Sequence, residues 1–168
     1  MVRLESKRLV FRDHEPEDLE PYCEMESDQV YRAHQPVHPR EELERSFRET
    51  WMVPKNMGLL ATVFKEDGRY IGRTGLYPRR TDEGVIVPDE ATLAFYLARP
   101  YWGRGLATEA GKAFIEHGFR NRGLVKIHAG MNAANLASVR VIEKLGFRWV
   151  RSGGDYVTQW HDYELLAP

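Results

Sequence analysis

The residues with the clearest chemical pattern are Gly103-Arg104-Gly105, set between an apolar run ending at Leu97 and an amphipathic stretch opening at Leu106. Two glycines around an arginine keep Cβ bulk out of a turn, so the backbone can take φ > 0 and aim successive N–H groups at one point. A helix beyond the turn adds its own unpaired N–H groups and the positive end of its dipole. That combination suits a phosphate or pyrophosphate. The alternative at this level is a plain strand-to-helix turn that uses glycine. A dinucleotide site wants a third small residue and an acid about 20 residues on. Here Thr108 stands third, and no Asp or Glu lies between Glu116 and Glu143. A P-loop wants Gly-Lys-Ser/Thr, but Gly111-Lys112 is followed by Ala113. His34 and His38 are four apart, yet Pro36 between them argues against a shared helical face, and no acid or cysteine completes a ligand set. No metal site is expected. Cys23 falls on an apolar face with Leu19, Tyr22 and Met25, which reads as a core thiol.

The bulk properties narrow the class. At 168 residues the chain fits one domain spanning 1–168, long enough to bury a core without staples. Lys+Arg of 24 against Asp+Glu of 25 gives a net charge of -1, so nothing argues for nucleic acid as a partner. A single cysteine excludes an internal disulfide and fits a reducing compartment. No apolar run is long enough to span a bilayer and no signal peptide opens the chain, so the expectation is a soluble cytoplasmic protein without a membrane partner.

The elements that must position the glycine loop follow in order. Arg8 to Arg12 is a short strand, Pro16 to Met25 a first helix, Tyr31 to Pro39 a loop, and Arg40 to Met52 a second helix. Gly58 to Lys65 and Arg69 to Tyr77 form a hairpin around Glu66-Asp67-Gly68. A polar loop holding Arg79, Arg80 and Pro88 leads to a strand over Ala91 to Ala98. The third helix runs from near Gly105 to Arg122 with Leu106, Ala110, Phe114 and Gly118 on one stripe, and Val125 to Met131 is the next strand. Helix four covers Asn135 to Leu145, with Asn135 as N-cap, Gly146 at the left-handed stop and Phe147 folding back on Ile142. Arg148 to Ser152 and Tyr156 to Leu166 close the chain as a hairpin turning at Gly153-Gly154-Asp155. This order implies a mixed α/β domain around one sheet.

Two stretches, Tyr101-Trp102-Gly103-Arg104-Gly105-Leu106-Ala107-Thr108-Glu109-Ala110 and Asn135 to Phe147, resemble the GNAT acetyltransferase superfamily. With the opening Leu-x-x-x-Arg-Leu-x-x-Arg of Leu4 to Arg12, the chain is most similar to the RimJ/RimL-type ribosomal-protein N-terminal acetyltransferases. The resemblance implies a GNAT fold: a mixed, mostly antiparallel sheet of about seven strands with four helices, splayed between the fourth and fifth strands. It implies acetyl-CoA as cosubstrate and no metal. Backbone amides of Gly103, Arg104, Gly105, Leu106, Ala107 and Thr108 would hold the pyrophosphate. Leu97 to Arg99 would end the splayed strand along which pantetheine lies as a substitute strand. Asn135 would bond the pantetheine amide as well as capping the helix, and the bland reading of Asn135 is the cap alone.

Transfer from a thioester to an amine needs a neutral amine, donors for the oxyanion and a proton for the leaving thiolate. By resemblance, the backbone N–H near Leu97 polarises the carbonyl. The tyrosine that many superfamily members use is replaced by Ile142, and the RimL-type serine stands at Ser138, the candidate proton donor. The base is open among Glu90, Asp89, His128 and ordered water, because Thr92 occupies the place where relatives often carry a glutamate. The resulting expectation is direct transfer to a primary amine, with a protein α-amino group as the leading acceptor and a small-molecule amine (antibiotic, polyamine or amino acid) as the alternative. A non-catalytic acyl-CoA sensor is the rival from another class. An acidic acceptor groove would suit polyamines and a narrow neutral one a peptide end. The oligomeric state, a homodimer included, is left open.

Overall fold

The structure is a computed structural model and describes residues 2–33, 36–52, 58–154 and 159–168. Strands β1 (Val2–Glu5), β2 (Leu9–Arg12), β3 (Leu59–Phe64), β4 (Arg69–Arg80), β5 (Ile86–Leu97), β6 (Lys126–Asn132), β7 (Arg148–Gly153) and β8 (Trp160–Leu166) alternate with helices α1 (Leu19–Ser27), α2 (Arg40–Ser46), α3 (Leu106–Arg122) and α4 (Leu136–Lys144). They form one eight-stranded sheet in the order β1-β2-β3-β4-β5-β6-β8-β7. Every pairing is antiparallel except β5 with β6. A parallel pair needs a crossover, and α3 supplies it.

Two cores flank the sheet. Under α3 and α4 lie Phe11, Ile71, Leu76, Leu93, Phe114, Ile127 and Ile142, and under α1 and α2 lie Tyr22, Cys23, Met25, Leu43, Phe47 and Tyr70. Cys23 is therefore a core thiol, 2% exposed. The α3 stripe of Leu106, Ala110, Phe114 and Gly118 is buried as its spacing predicts. Helix α4 stops with Gly146 at φ 89, and the Phe147 N–H donates to the Ile142 carbonyl at 3.2 Å, the reach-back of a Schellman stop.

Three expectations change. The sheet has eight strands rather than about seven, because Val2–Glu5 adds an edge strand to β2, and the predicted splay falls between β5 and β6. The polar segment after Tyr77 is no loop: β4 and β5 continue as a ribbon to Arg80 and Ile86. Pro78 is tolerated there because it lies beyond the end of β3, which pairs with β4 only as far as Gly75. The second helix widens after Ser46 into a π turn over Phe47–Trp51, where the Met52 N–H donates to the Phe47 carbonyl. His34, Asp155 and Tyr156 lie outside the described residues. His38 Nδ1 lies 3.0 Å from Glu42 Oε1. Among the described residues no helix is long and apolar enough to cross a membrane, and no group of three metal-ligating side chains forms.

His14 packs against the rings of Phe47, Trp51 and Tyr70. Burial, opposed by Asp18 and reinforced by Arg73 and Arg12, pushes its pKa down to about 4. Unfolded, the imidazole protonates near its ordinary value of 6.5. Between those values the unfolded chain binds more protons, so stability falls as the pH drops. From about pH 7 to about pH 4.5 this group costs about 2–3 kcal/mol. Urea unfolding of wild type and His14→Asn at both pH values checks this: the variant should lose that much less on acidification, and equal losses count against it.

Candidate functional site

The β5–β6 ladder is short. Glu90, Ala91 and Thr92 pair with Lys126, Ile127 and His128, and beyond them the two strands part. On its other edge β5 stays bonded to β4 as far as Leu97, opposite Gly72. The Ala98 N–H donates to the Ile71 carbonyl at 2.8 Å. Antiparallel alternation then gives Ala94 and Tyr96 to β4 and turns the N–H and C=O groups of Leu93, Phe95 and Leu97 toward the gap. A cavity of about 510 Å³ fills that wedge, lined by β5 from Leu93 to Leu97, by β6 from Ala129 to Asn132, and by the start of α4. Among its described lining residues none carries a charged side chain.

At one end of the wedge the chain turns through Arg99–Tyr101 into the glycine loop. Gly103 and Gly105 both take left-handed conformations, φ 71 and φ 74, which any side chain would strain. The Glu109 N–H makes the first helical bond of α3, to the Gly105 carbonyl. The N–H groups of Gly105, Leu106, Ala107 and Thr108 therefore have no helical acceptor, and no side chain caps them. The loop is held from behind. Arg8 donates through Nη1 to the Arg104 carbonyl at 3.0 Å and through Nε to Glu109 Oε2 at 2.7 Å. Glu109 Oε1 also accepts from the Arg8 N–H and from Ser6 Oγ, each at 2.7 Å. Burial raises the Glu109 pKa, but these donors outweigh it and hold the carboxyl below its ordinary range. The Arg104 guanidinium stacks on Phe64. Both Arg8 and Glu109 lie in the stretches that carry the family resemblance, but their partnership across the fold has no sequence signal.

Helix α4 opens on the opposite wall. Asn135 Oδ1 accepts from the Ser138 N–H at 3.2 Å, which leaves the Asn135 amide nitrogen for another partner. Asn135, Ser138 and Leu97 line the same cavity, with fully buried Ile142 one turn beyond Ser138. Trp102, just before the loop, also lines it and donates its indole N–H to the Leu97 carbonyl at 2.6 Å. The structure thus brings together Leu97, Asn135 and Ser138, with Gly103 to Thr108 at the end marked by Trp102.

Two predicted residues are placed elsewhere. Glu90 sits where β5 and β6 are still paired, bonded to His128 Nε2 at 2.5 Å and 3.7 Å from Lys126 Nζ. It does not line the cavity. Burial raises its pKa, but His128 and Lys126 outweigh that and hold it low, which weakens it as a base. The Arg99 side chain is turned away and pairs with Asp28 at 2.9 Å, lining a separate depression beside α1.

Across the sheet the wedge opens between Tyr31, Tyr77 and Tyr96. Sequence reading missed this wall, whose members are far apart in the chain. Tyr31 donates to Glu26 Oε1 at 3.2 Å, and Glu26 accepts from Arg73 at 2.7 Å and Arg32 at 2.8 Å. All three of these charged side chains are buried. Arg73 also stacks on Tyr96, Trp51 and Tyr22. Burial, with Glu26 beside it, keeps the Tyr31 phenol protonated.

Comparison with known proteins matches this geometry to a family. Residues 8–148 match the model of the acetyltransferase (GNAT) domain. The uncharacterized protein YkkB of Bacillus subtilis is 31% identical over 88 residues, 52% of this chain and 49% of that one, so the match spans about half of that relative. The crystal structure of a GNAT-family acetyltransferase from Bacillus anthracis superposes with a TM-score of 0.82 at 21% identity, covering 99% of this chain and 98% of that one. RimL, a ribosomal L7/L12 alpha-N-protein acetyltransferase solved in complex with coenzyme A, superposes with a TM-score of 0.76 at 13% identity over 98% of this chain and 97% of that one. At these identities the superpositions speak to fold alone, and the match across most of the sequence speaks to descent: this chain belongs to the GNAT acetyltransferase family.

Proposed function

We propose that the protein is an acetyl-CoA-dependent N-acetyltransferase of the RimJ/RimL kind, passing acetyl directly to the α-amino group of a peptide or protein. The observation that carries this reading is the uncharged wedge between β5 and β6, with an unpaired strand edge, uncapped helix N–H groups at one end and a serine in its wall. The groups present fit acetyl-CoA. Uncapped N–H groups from Gly105 to Thr108, with the left-handed turn at Gly103 before them, suit a pyrophosphate. The edge at Phe95 and Leu97, with the Asn135 amide nitrogen opposite, suits the amides of a pantetheine arm. RimL, solved with coenzyme A, has the same fold.

When bound, the cosubstrate supplies an activated acyl group. In this reading the Leu97 N–H would donate to the developing oxyanion and Ser138 Oγ would give a proton to the leaving sulfur. Glu90 and Arg99 take no part, because their side chains are engaged outside the cavity. With no carboxylate in the described lining, the amine has to lose its proton to water. At pH 7 this costs a lysine about 4.6 kcal/mol and an α-amino group only about 1. A described lining without acidic residues suits a single amine better than a polyamine. The second reading is a small monoamine, favoured by the Tyr31, Tyr77 and Tyr96 faces, which suit an amine-bearing ligand.

Thiol release from acetyl-CoA, measured with peptides bearing free α-amines, peptides offering only lysine, spermidine and small monoamines, tests the assignment. Release should be fastest with α-amines, and kcat/KM should rise with pH to a plateau above about pH 8, following the acceptor's own ionisation. Faster turnover of lysine or spermidine overturns the acceptor class, and tight CoA binding without release from any amine favours a sensor.

Ser138→Ala should lower kcat on the order of 10²-fold while leaving CoA affinity within about twofold. The fold should be unaffected, since only the backbone N–H of Ser138 joins the Asn135 cap. Unchanged kcat removes this role.

A further inference from the structure

The described cavity lining is uncharged, yet one carboxylate stands directly behind it. Gly130 lines the cavity in the middle of β6 and pairs with Asp162 on β8. Ile127 and Ala129 belong to the core under α3, as does Tyr163 on β8, so Gly130 and Asp162 face the other side of the sheet. That is the side of Tyr96, which stacks with Arg73 beneath α1. Glycine inside a strand marks a place where something approaches the backbone closely. Here Asp162 Oδ1 leans into the space, 3.2 Å from where a Cβ on Gly130 would stand. Asp162 Oδ2 is held by Arg151 Nε of β7 at 3.1 Å, and that guanidinium rests on Trp160. One oxygen is thus anchored and the other is turned toward Gly130. A carboxylate offers about four lone-pair sites, so the anchoring bond leaves acceptor capacity on Oδ1. Besides Arg151, the nearest charged groups on this face, His128 and Glu164, lie one row further from the open end of the wedge, with Glu90 and Lys126 beyond them; His128 is bonded to Glu90, and Lys126 lies between Glu90 and Glu164.

We propose that Asp162 is the acceptor anchor: its Oδ1 receives the protonated amine entering on the tyrosine side, through the opening that Gly130 leaves. This rests on the reading of the wedge as an acetyl-CoA and amine site, and it adds the group that recognises the acceptor's charge. Asp162 binds the ammonium form. The proton passes to water as the amine advances, so the contact stabilises the bound ground state alone, and its loss raises KM and kcat together.

The test compares wild type with Asp162→Asn, which keeps size and one acceptor oxygen, and with Gly130→Ala, whose Cβ displaces Oδ1. Initial rates at saturating acetyl-CoA are measured for a peptide α-amine and for an arylamine that is neutral at pH 7. Both variants should raise KM for the peptide about tenfold at pH 7 with kcat rising in step, so that kcat/KM stays within about twofold. For Asp162→Asn the KM ratio should fall toward one at about pH 9.5, where the amine is uncharged. The arylamine KM should not respond to Asp162→Asn at any pH. Equal effects on charged and neutral acceptors, or no effect, overturn the anchor. Calorimetric binding of the peptide to the CoA-loaded protein reads the same difference without turnover. A protein that binds peptide through Asp162 but releases no thiol therefore sinks the transferase reading alone, and one whose affinity ignores Asp162 sinks the anchor alone. A wild type that binds no amine at all overturns both.

Discussion

The parting of β5 from β6 is the constraint on which the rest of the molecule depends. Three residue pairs hold the two strands together, and then the ladder stops. An open strand edge is ordinarily a liability, because its N–H and C=O groups invite another chain. Here the edge is enclosed in a wedge between β6, α4 and the loop into α3. The crossover through α3 makes this possible: a parallel partner reached by a long helix need not stay in register along its whole length. The same helix brings its uncapped N-terminus to the end of the wedge, so the free N–H groups and the open edge are products of one connection.

Two sets of charged groups keep the wedge in shape from opposite sides. Behind the glycine loop, Arg8 and Glu109 tie the start of α3 to the turn before β2. Beneath the tyrosine wall, Glu26 with Arg73 and Arg32 fixes Tyr31 and, through stacking, Tyr96. Buried charges are costly unless paired and hydrogen-bonded, so the Glu26 set does not tolerate loss of one partner, whereas Arg8 and Glu109 keep contact with solvent. Their return is position rather than net stability. Both hold backbone or aromatic surface against the cavity without placing a charge in its described lining.

The chemistry that results is economical in side chains. The described lining offers the backbone at Leu97 and the hydroxyl of Ser138, and no charged side chain. Glu90, the carboxylate nearest in sequence to the expected base, shows why proximity along a strand misleads. Its neighbour across the still-paired ladder is the Lys126–His128 strand, and the attraction of those partners binds it there. Asp162 lies on a strand that the sequence places far from β5, yet pairing with β6 sets it beside Gly130, which lines the wedge.

Whatever depends on neighbours along the chain was legible in the sequence. The left-handed glycines around Arg104, the stripe of α3, the Asn135 cap and the Gly146 stop each follow from local backbone geometry or a helical repeat. The strand β1 and the ribbon beyond Tyr77 were not legible, because short or polar strands are specified by the partner they pair with rather than by their own pattern. For the same reason the sequence could not say that Glu90 is bound to His128, that Arg99 turns to Asp28, that three distant tyrosines form one wall, or that Asp162 stands against Gly130. Cross-strand register and side-chain direction decide those, and both are set only when the whole sheet closes. The sequence alone determined the glycine loop and the helix caps, whose geometry is local; the tertiary structure decided which side chains share the wedge, because that depends on register across the whole sheet.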